Sequence, residues 1–184
     1  MLYAISIMDN DIGLRRGSVQ LRAHNSEWAK LFEEERKLLL GKFPHVILEI
    51  QHGGSTAIPT IPAKPIIDMF AVVPSLQAAE AIKGELVKLG YEYRGADGVA
   101  GRVLYVKGAP EKRTHHLQLV ERENDEWGNH ILIREYFLKH PDVAQEYAKL
   151  KILLAEKYPE DRKAYSHGKD IFIKSVIQKA KTKQ

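Results

Sequence analysis

The sequence predicts an α+β fold: a mixed or mostly antiparallel β-sheet flanked by helices, with a helical C-terminal part. Three observations carry this. Two apolar runs, residues 46–51 and 66–73, bracket a stretch with three prolines that cannot form a long regular helix. Two more short runs, 102–107 and 114–120, are joined across Gly108-Ala109-Pro110 in the manner of a hairpin. From Glu126 to about Lys181 the pattern is helical.

Taken in order, residues 1–18 read as an N-terminal extension, and 19–184 as a single domain. Residues 19–21 are a short strand candidate. Asn25-Ser26 caps a helix that starts near Glu27, with acids in its early turns as the helix dipole favours. Trp28, Leu31, Phe32, Glu35, Leu38 and Leu39 recur at helical spacing, and Gly41 and Pro44 end the run. A strand follows at 46–51. Residues 66–73 are apolar but for Asp68 and read as a central strand. Ser75 caps a helix over 76–89, and Gly90 stands where a C-terminal glycine belongs. Residues 91–94 form a weak strand before the Gly95-Ala96-Asp97-Gly98 turn. Three helices are expected at 126–139, 142–158 and 161–181, with Pro141 and Pro159 at helix starts.

Bulk composition narrows the function classes. A chain of 184 residues can bury a substantial single core. The net charge of +4 is mild and spread along the chain, so it permits an anionic ligand without arguing for nucleic acid. Cysteine is absent, which excludes disulfides and thiolate metal sites. No apolar run approaches the roughly 20 residues of a membrane span. Residues 1–8 carry no basic n-region or cleavage pattern, so no signal peptide is expected. A soluble cytoplasmic protein is the expectation.

The chemistry-bearing residues gather on a few stretches. His52-Gly53-Gly54-Ser55-Thr56 follows a strand; glycines let backbone amides approach a phosphate, and Ser55 adds a donor. Such a turn alone is commonplace, and it has neither Walker nor dinucleotide spacing. Asp68 sits on the next strand, where an acid is costly unless paired or metal-bound. Alternation puts Asp68 with Ile66, Phe70 and Val72 on one face. On the strand at 114–120 it puts His116 with Gln118 and Val120, and turns His115 the other way. The two adjacent histidines therefore cannot share a metal. Lys64, Arg102, Lys107, Arg113, Arg134 and Lys169 lie near strand ends or helix starts and suit phosphate, although most surface cations are simply solvated. Tyr165 and Lys169 are four apart and share a helix face.

A Gly-Ser turn after a strand, 12 intervening residues and then Asp68 on the next strand resembles the signature of the nucleotidyltransferase superfamily, with its DNA polymerase β-like fold. More closely, the chain resembles the GrpB family within it. The resemblance rests on Asn25-Ser26-Glu27-Trp28, Gly54-Ser55-Thr56-Ala57-Ile58-Pro59, Ala63-Lys64-Pro65-Ile66-Ile67-Asp68 and Arg113-Thr114-His115-His116-Leu117. Further on it rests on Arg134-Glu135-Tyr136, His140-Pro141, Tyr147, Leu150-Lys151, Tyr165 and Lys169, and it runs over about residues 19–177.

The superfamily implies that Gly54 and Ser55, with Thr56, hold phosphates and that Asp68 is the first metal carboxylate. The second carboxylate position falls on Phe70. The third falls near His116 and Gln118, and the GrpB pattern commonly has a histidine where this chain has Gln118. Two ions need more anionic ligands than this. The expectation is one divalent metal, held by Asp68, His116 and substrate phosphates, with imidazole favouring Mn²⁺ or Zn²⁺ over Mg²⁺. Lys64, Arg102, Arg113, Gln118, Arg134, Tyr165 and Lys169 are expected to serve the phosphates. The implied activity is metal-assisted transfer of a nucleotidyl or phosphoryl group from a nucleotide or other phosphorylated small molecule to a small acceptor, with Asp68 and His116 as catalytic residues. The alternative is a non-catalytic nucleotide-binding module that has lost its carboxylates. A nucleic-acid partner ranks last, because aromatic and basic residues do not interleave.

Overall fold

A computed structural model describes residues 12–182. Among them, five strands form one mixed sheet in the order β1-β2-β5-β4-β3. The strands are β1 (Glu49–Gly53), β2 (Ile67–Val73), β3 (Tyr91–Gly95), β4 (Arg102–Lys107) and β5 (His115–Glu121). β2 and β5 are parallel, and the other neighbours are antiparallel. The α+β expectation is met, and the hairpin joins β4 to β5 with Lys107 opposite His115.

β2 lies between two strands and is covered on both faces, which accounts for its nearly unbroken apolar sequence. Ile67, Met69, Ala71 and Val73 join Leu117 and Leu119 beneath Trp28, Phe32 and Leu39 of α1 (Glu27–Lys42). Ala79, Ile82 and Leu86 complete that layer from α2 (Leu76–Ala79), a 3₁₀ turn and α3 (Lys83–Lys88). Each such fully buried aliphatic or aromatic side chain contributes roughly 1.5–3 kcal/mol. The opposite face carries Phe70, Val72 and Val120 under Trp127 of α4 (Asp125–Lys139). α4 packs in turn with α5 (Pro141–Lys157) and α7 (Asp170–Lys181) around Phe137, Tyr147 and Val176. The short α6 (Arg162–His167) precedes α7 and is capped by Asp161, whose carboxylate accepts from the amides of Lys163 and Ala164.

The structure departs from expectation at four places. Residues 19–21 form no strand: the Val19 amide donates to Pro159 O, and a single bridge follows between Arg22 and Ala63. β1 starts later than residue 46, because the amides of Val46 and Ile47 turn back onto Phe43 O. The helix over 76–89 is interrupted at Glu80–Ile82 by the 3₁₀ turn. The last helix is broken at Gly168-Lys169, where a Cβ on Gly168 would stand 2.4 Å from the Leu154 side chain. Of the expected extension, residues 1–11 lie outside the described residues. Residues 12–18 lie against the domain: the Gly13 amide donates to Pro65 O (2.7 Å), and Leu14 and Arg113 exchange backbone hydrogen bonds (3.0 and 2.8 Å).

Candidate functional site

The site begins where β1 runs out. Gly53 pairs with Asp68 across the antiparallel β1–β2 ladder. A Cβ on Gly53 would stand 2.4 Å from the Phe70 ring. A Cβ on Gly54 would stand 2.3 Å from Asp68 Oδ2, and Gly54 has φ 64°, which side-chain-bearing residues rarely adopt. Both glycines are therefore required for the turn to close over the acid. Ser55–Ala57 then make one 3₁₀ turn. The Thr56 hydroxyl faces inward, 3.4 Å from Ile66 O and 3.0 Å from His52 Nε2, and ties the turn to β2. His52 stacks on Phe32 with centroids 4.5 Å apart, and burial lowers its pKa to about 4, so it is neutral.

The parallel register of β2 and β5 puts Asp68 beside His116 and Phe70 beside Gln118. His116 Nδ1 lies 3.0 Å from Asp68 Oδ1. Burial pushes the Asp68 carboxyl up, but the His116 hydrogen bond and the charges of His116, Lys64 and His130 more than offset it and hold the pKa below the usual value. Asp68 is thus an ionised acid paired with an imidazole. The Asp68 bond engages Nδ1 and leaves Nε2 as the nitrogen for a substrate or an ion. His115 points to the other face, as alternation requires, and burial lowers its pKa to about 4. Phe70 is 2% exposed and lies against His130 with centroids 4.0 Å apart.

A cavity of about 220 Å³ opens over this pair. Gly54, Ser55 and Thr56 line one wall, and Lys64, Arg134, Tyr165 and Lys169 line others. Two cations lie over the Tyr165 ring: Lys169 Nζ is 4.3 Å and Lys64 Nζ 5.7 Å from its centroid. Burial, opposed by Asp68, lowers the Lys64 pKa. Burial and the Lys64 charge lower Lys169 to about 8, against the opposing pull of Asp68 and Asp170. Behind them Lys151 is 1% exposed; its ammonium donates to Pro62 O and lies 4.9 Å from the Tyr147 ring centroid. Burial and the Lys169 and Lys64 charges lower it to about 7. Lys64 and Lys169 line the cavity, Lys151 stands behind them, and the three repel one another; among the described residues the cavity walls carry one carboxylate, Asp68. A phosphate-bearing ligand would relieve that repulsion.

Most of the residues expected from sequence converge here. Asp68, His116, Gly54, Ser55, Thr56, Lys64, Arg134, Tyr165 and Lys169 all line the cavity. Thr56 and Arg134 do so with polar atoms already engaged: Arg134 bonds His52 O (2.8 Å), Gln51 Oε1 (3.1 Å) and Glu135 Oε1, tying α4 to β1. Arg102, Gln118 and Arg113 stand apart from it. Arg102, half-buried, donates to the buried Gln118 Oε1, and the pair lies further along β4 and β5. Arg113 is buried and bound to Glu92 and Gly108 O. The sequence reading missed His130, Tyr147 and Lys151. Tyr147 hydrogen-bonds Ser55, and burial raises its phenol pKa, so it stays protonated. The available signal was spacing: Tyr147 and Lys151 are four apart on one helix, as Tyr165 and Lys169 are.

Among the described residues, no three or more His, Asp or Glu side chains come together as a metal-binding group. Of the cavity walls, Asp68, His116 and His130 carry the side chains that could hold a metal ion, and Phe70, two residues past Asp68, could not.

Comparison with known proteins agrees with the sequence resemblance. A family model described as GrpB protein matches residues 18–179. The chain belongs to the GrpB family. It is 36% identical over 170 residues to the glutamate-rich protein GrpB of Alkalihalophilus pseudofirmus, covering 90% of this chain and 98% of that one. It is 40% identical over 163 residues to UPF0157 protein YqkA of Bacillus subtilis, covering 89% of this chain and 47% of that one, so it spans about half of YqkA's length. The crystal structure of conserved protein GrpB from Enterococcus faecalis superposes with a TM-score of 0.83 at 34% identity, over 89% of this chain and 98% of that one. A more distant likeness, at 14% identity and a TM-score of 0.46, is to the Cid1 poly(U) polymerase; at that level it carries no argument. No helix among the described residues is long and apolar enough to cross a membrane.

Proposed function

We propose that this GrpB protein is a nucleotidyltransferase-like enzyme that moves a nucleotidyl or phosphoryl group from a nucleotide, or another phosphorylated small molecule, to a small acceptor. One observation carries the reading: the Gly54-Ser55 turn, Lys64, Lys169 and the Asp68–His116 pair meet in one cavity, with Lys151 buried behind the two lysines. The turn and Lys64 and Lys169 hold the phosphates. Asp68 fixes the His116 ring through Nδ1. Nε2 then accepts the proton of the acceptor hydroxyl as its oxygen attacks phosphorus. The bond to the leaving phosphate breaks, and the lysines take up the charge that develops there. Where a single divalent ion is bound, Asp68 and His116 Nε2 would hold it and it would polarise the phosphoryl group, His116 then serving as its ligand in place of the base role.

The test is turnover of nucleoside triphosphates with Mg²⁺, Mn²⁺ or Zn²⁺ and pooled small acceptors. The Asp68→Asn substitution should lower kcat about 10–100-fold, the usual effect of losing the partner that orients a histidine. Turnover that Asp68→Asn leaves unchanged would sink the mechanism. Phe70 supports a second reading, a binding module without chemistry. On that reading nucleotide raises the melting temperature and is recovered intact.

A further inference from the structure

We infer that a second, smaller groove on the far side of Lys64 and His116 is an oxyanion site that holds the phosphate or carboxylate head of the acceptor. This rests on the transfer reading above. The groove has a volume of about 40 Å³, room for an oxyanion head but not for a nucleotide. It shares Lys64, Ile66 and His116 with the larger cavity, so one imidazole borders both. Its walls carry six cationic side chains: Arg15, Arg16, Lys64, Arg94, Arg113 and Arg162. Among the described residues Asp97 is its one acidic wall residue.

The ion pairs do not cancel this charge. Glu92 is shared by Arg94 and Arg113, Asp97 by Arg94 and Arg162, and Glu160 pairs with Arg15. Among the described residues three acids therefore serve four arginines, and Arg16 adds to the excess. Arginine forks arranged in this way match the two-oxygen edge of a phosphate or carboxylate. The roof is the strap 14–18, fixed by the Leu14–Arg113 bridge and by the Ser18 hydroxyl donating to Arg15 O (2.8 Å). Most of that strap precedes residue 18, where the family match begins.

Isothermal titration with inorganic phosphate, and in parallel with acetate, tests this. Wild-type protein should bind phosphate at two sites. Lys169→Met should remove one, and the exposed double variant Arg15→Glu/Arg16→Glu should weaken the other at least tenfold. Arg94→Gln/Arg162→Gln should repeat that loss, with melting curves checked for each variant. Acetate binding lost in the same two groove variants would assign a carboxylate head, and phosphate alone a phosphorylated one. One phosphate site, abolished by Lys169→Met and untouched by both groove variants, overturns the groove and leaves the larger cavity standing. Phosphate binding that survives Lys169→Met and is lost in the groove variants overturns the larger cavity instead. Binding of neither anion overturns the groove.

Discussion

Lys151 and Lys169 set the pH behaviour of the site. Burial and mutual repulsion lower their pKa values to about 7 and about 8, from the ordinary 10.5. Between these values and 10.5 the unfolded chain holds more protons than the folded one, so this part of the stability rises with pH and is lost as pH falls towards 7. A bound polyanion reverses the preference by favouring the charged amines. Nucleotide binding at pH 8.5 should therefore take up protons, and affinity should fall as pH rises from 7 to 9, by up to about tenfold per unit for each proton taken up. Calorimetry with ATP in two buffers of different ionisation enthalpy measures the uptake directly. Lys151→Met should reduce it; no uptake, or release, would show that the amines do not face the phosphates.

At the level of elements, the β1–β2 turn is the least tolerant piece of backbone. Gly54 combines φ 64° with a Cβ position 2.3 Å from Asp68 Oδ2. Gly54→Ala must open the turn or displace the carboxylate from His116. The expected cost is about 1–3 kcal/mol, the usual range for backbone strain of this kind, with nucleotide binding lost as well. Urea unfolding together with ATP titration separates the two effects. An alanine variant as stable as wild type and still binding ATP would mean that the turn does not close over Asp68. These elements also show how far the sequence could be read. Period-2 alternation put Asp68 and His116 on inward faces, but it could not say that β2 and β5, far apart in sequence, pair in parallel. Arg102 and Arg113 sit at strand ends as Lys64 does, yet neither lines the larger cavity. What separates them is Gln118 and Glu92, partners that only folding brings within reach. Lys151 was quoted in a motif yet not assigned, because nothing in a helix of mixed charge marks one lysine as buried. The break at Gly168-Lys169 was hidden by a helical pattern that continues through it.

Across the whole molecule, the +4 net charge matters less than where it is buried. Lys64 and Lys169 line a cavity that has a single carboxylate among the described residues, and Lys151 is buried behind them, so the ligand-free protein carries a standing electrostatic cost that a phosphate ligand would offset. Stability and binding should then trade against each other. Lys151→Met keeps the length of the side chain, removes the buried amine and gives up its bond to Pro62 O. That lost hydrogen bond is worth about 1 kcal/mol. The relieved desolvation is larger, because burial and the neighbouring lysines lower the Lys151 pKa to about 7, and at neutral pH each unit of lowering costs roughly 1.4 kcal/mol. The variant should therefore melt several degrees higher than wild type without ligand at pH 7. With ATP at 100 times its Kd the wild type should gain about 2.7 kcal/mol, or roughly 5–11 °C for a chain of this size. At the same ATP concentration the variant should gain much less, so the two melting curves should converge. Lys151→Met melting below wild type and responding fully to ATP would show that Lys151 is a structural strut for the Pro62 loop and no part of the phosphate site.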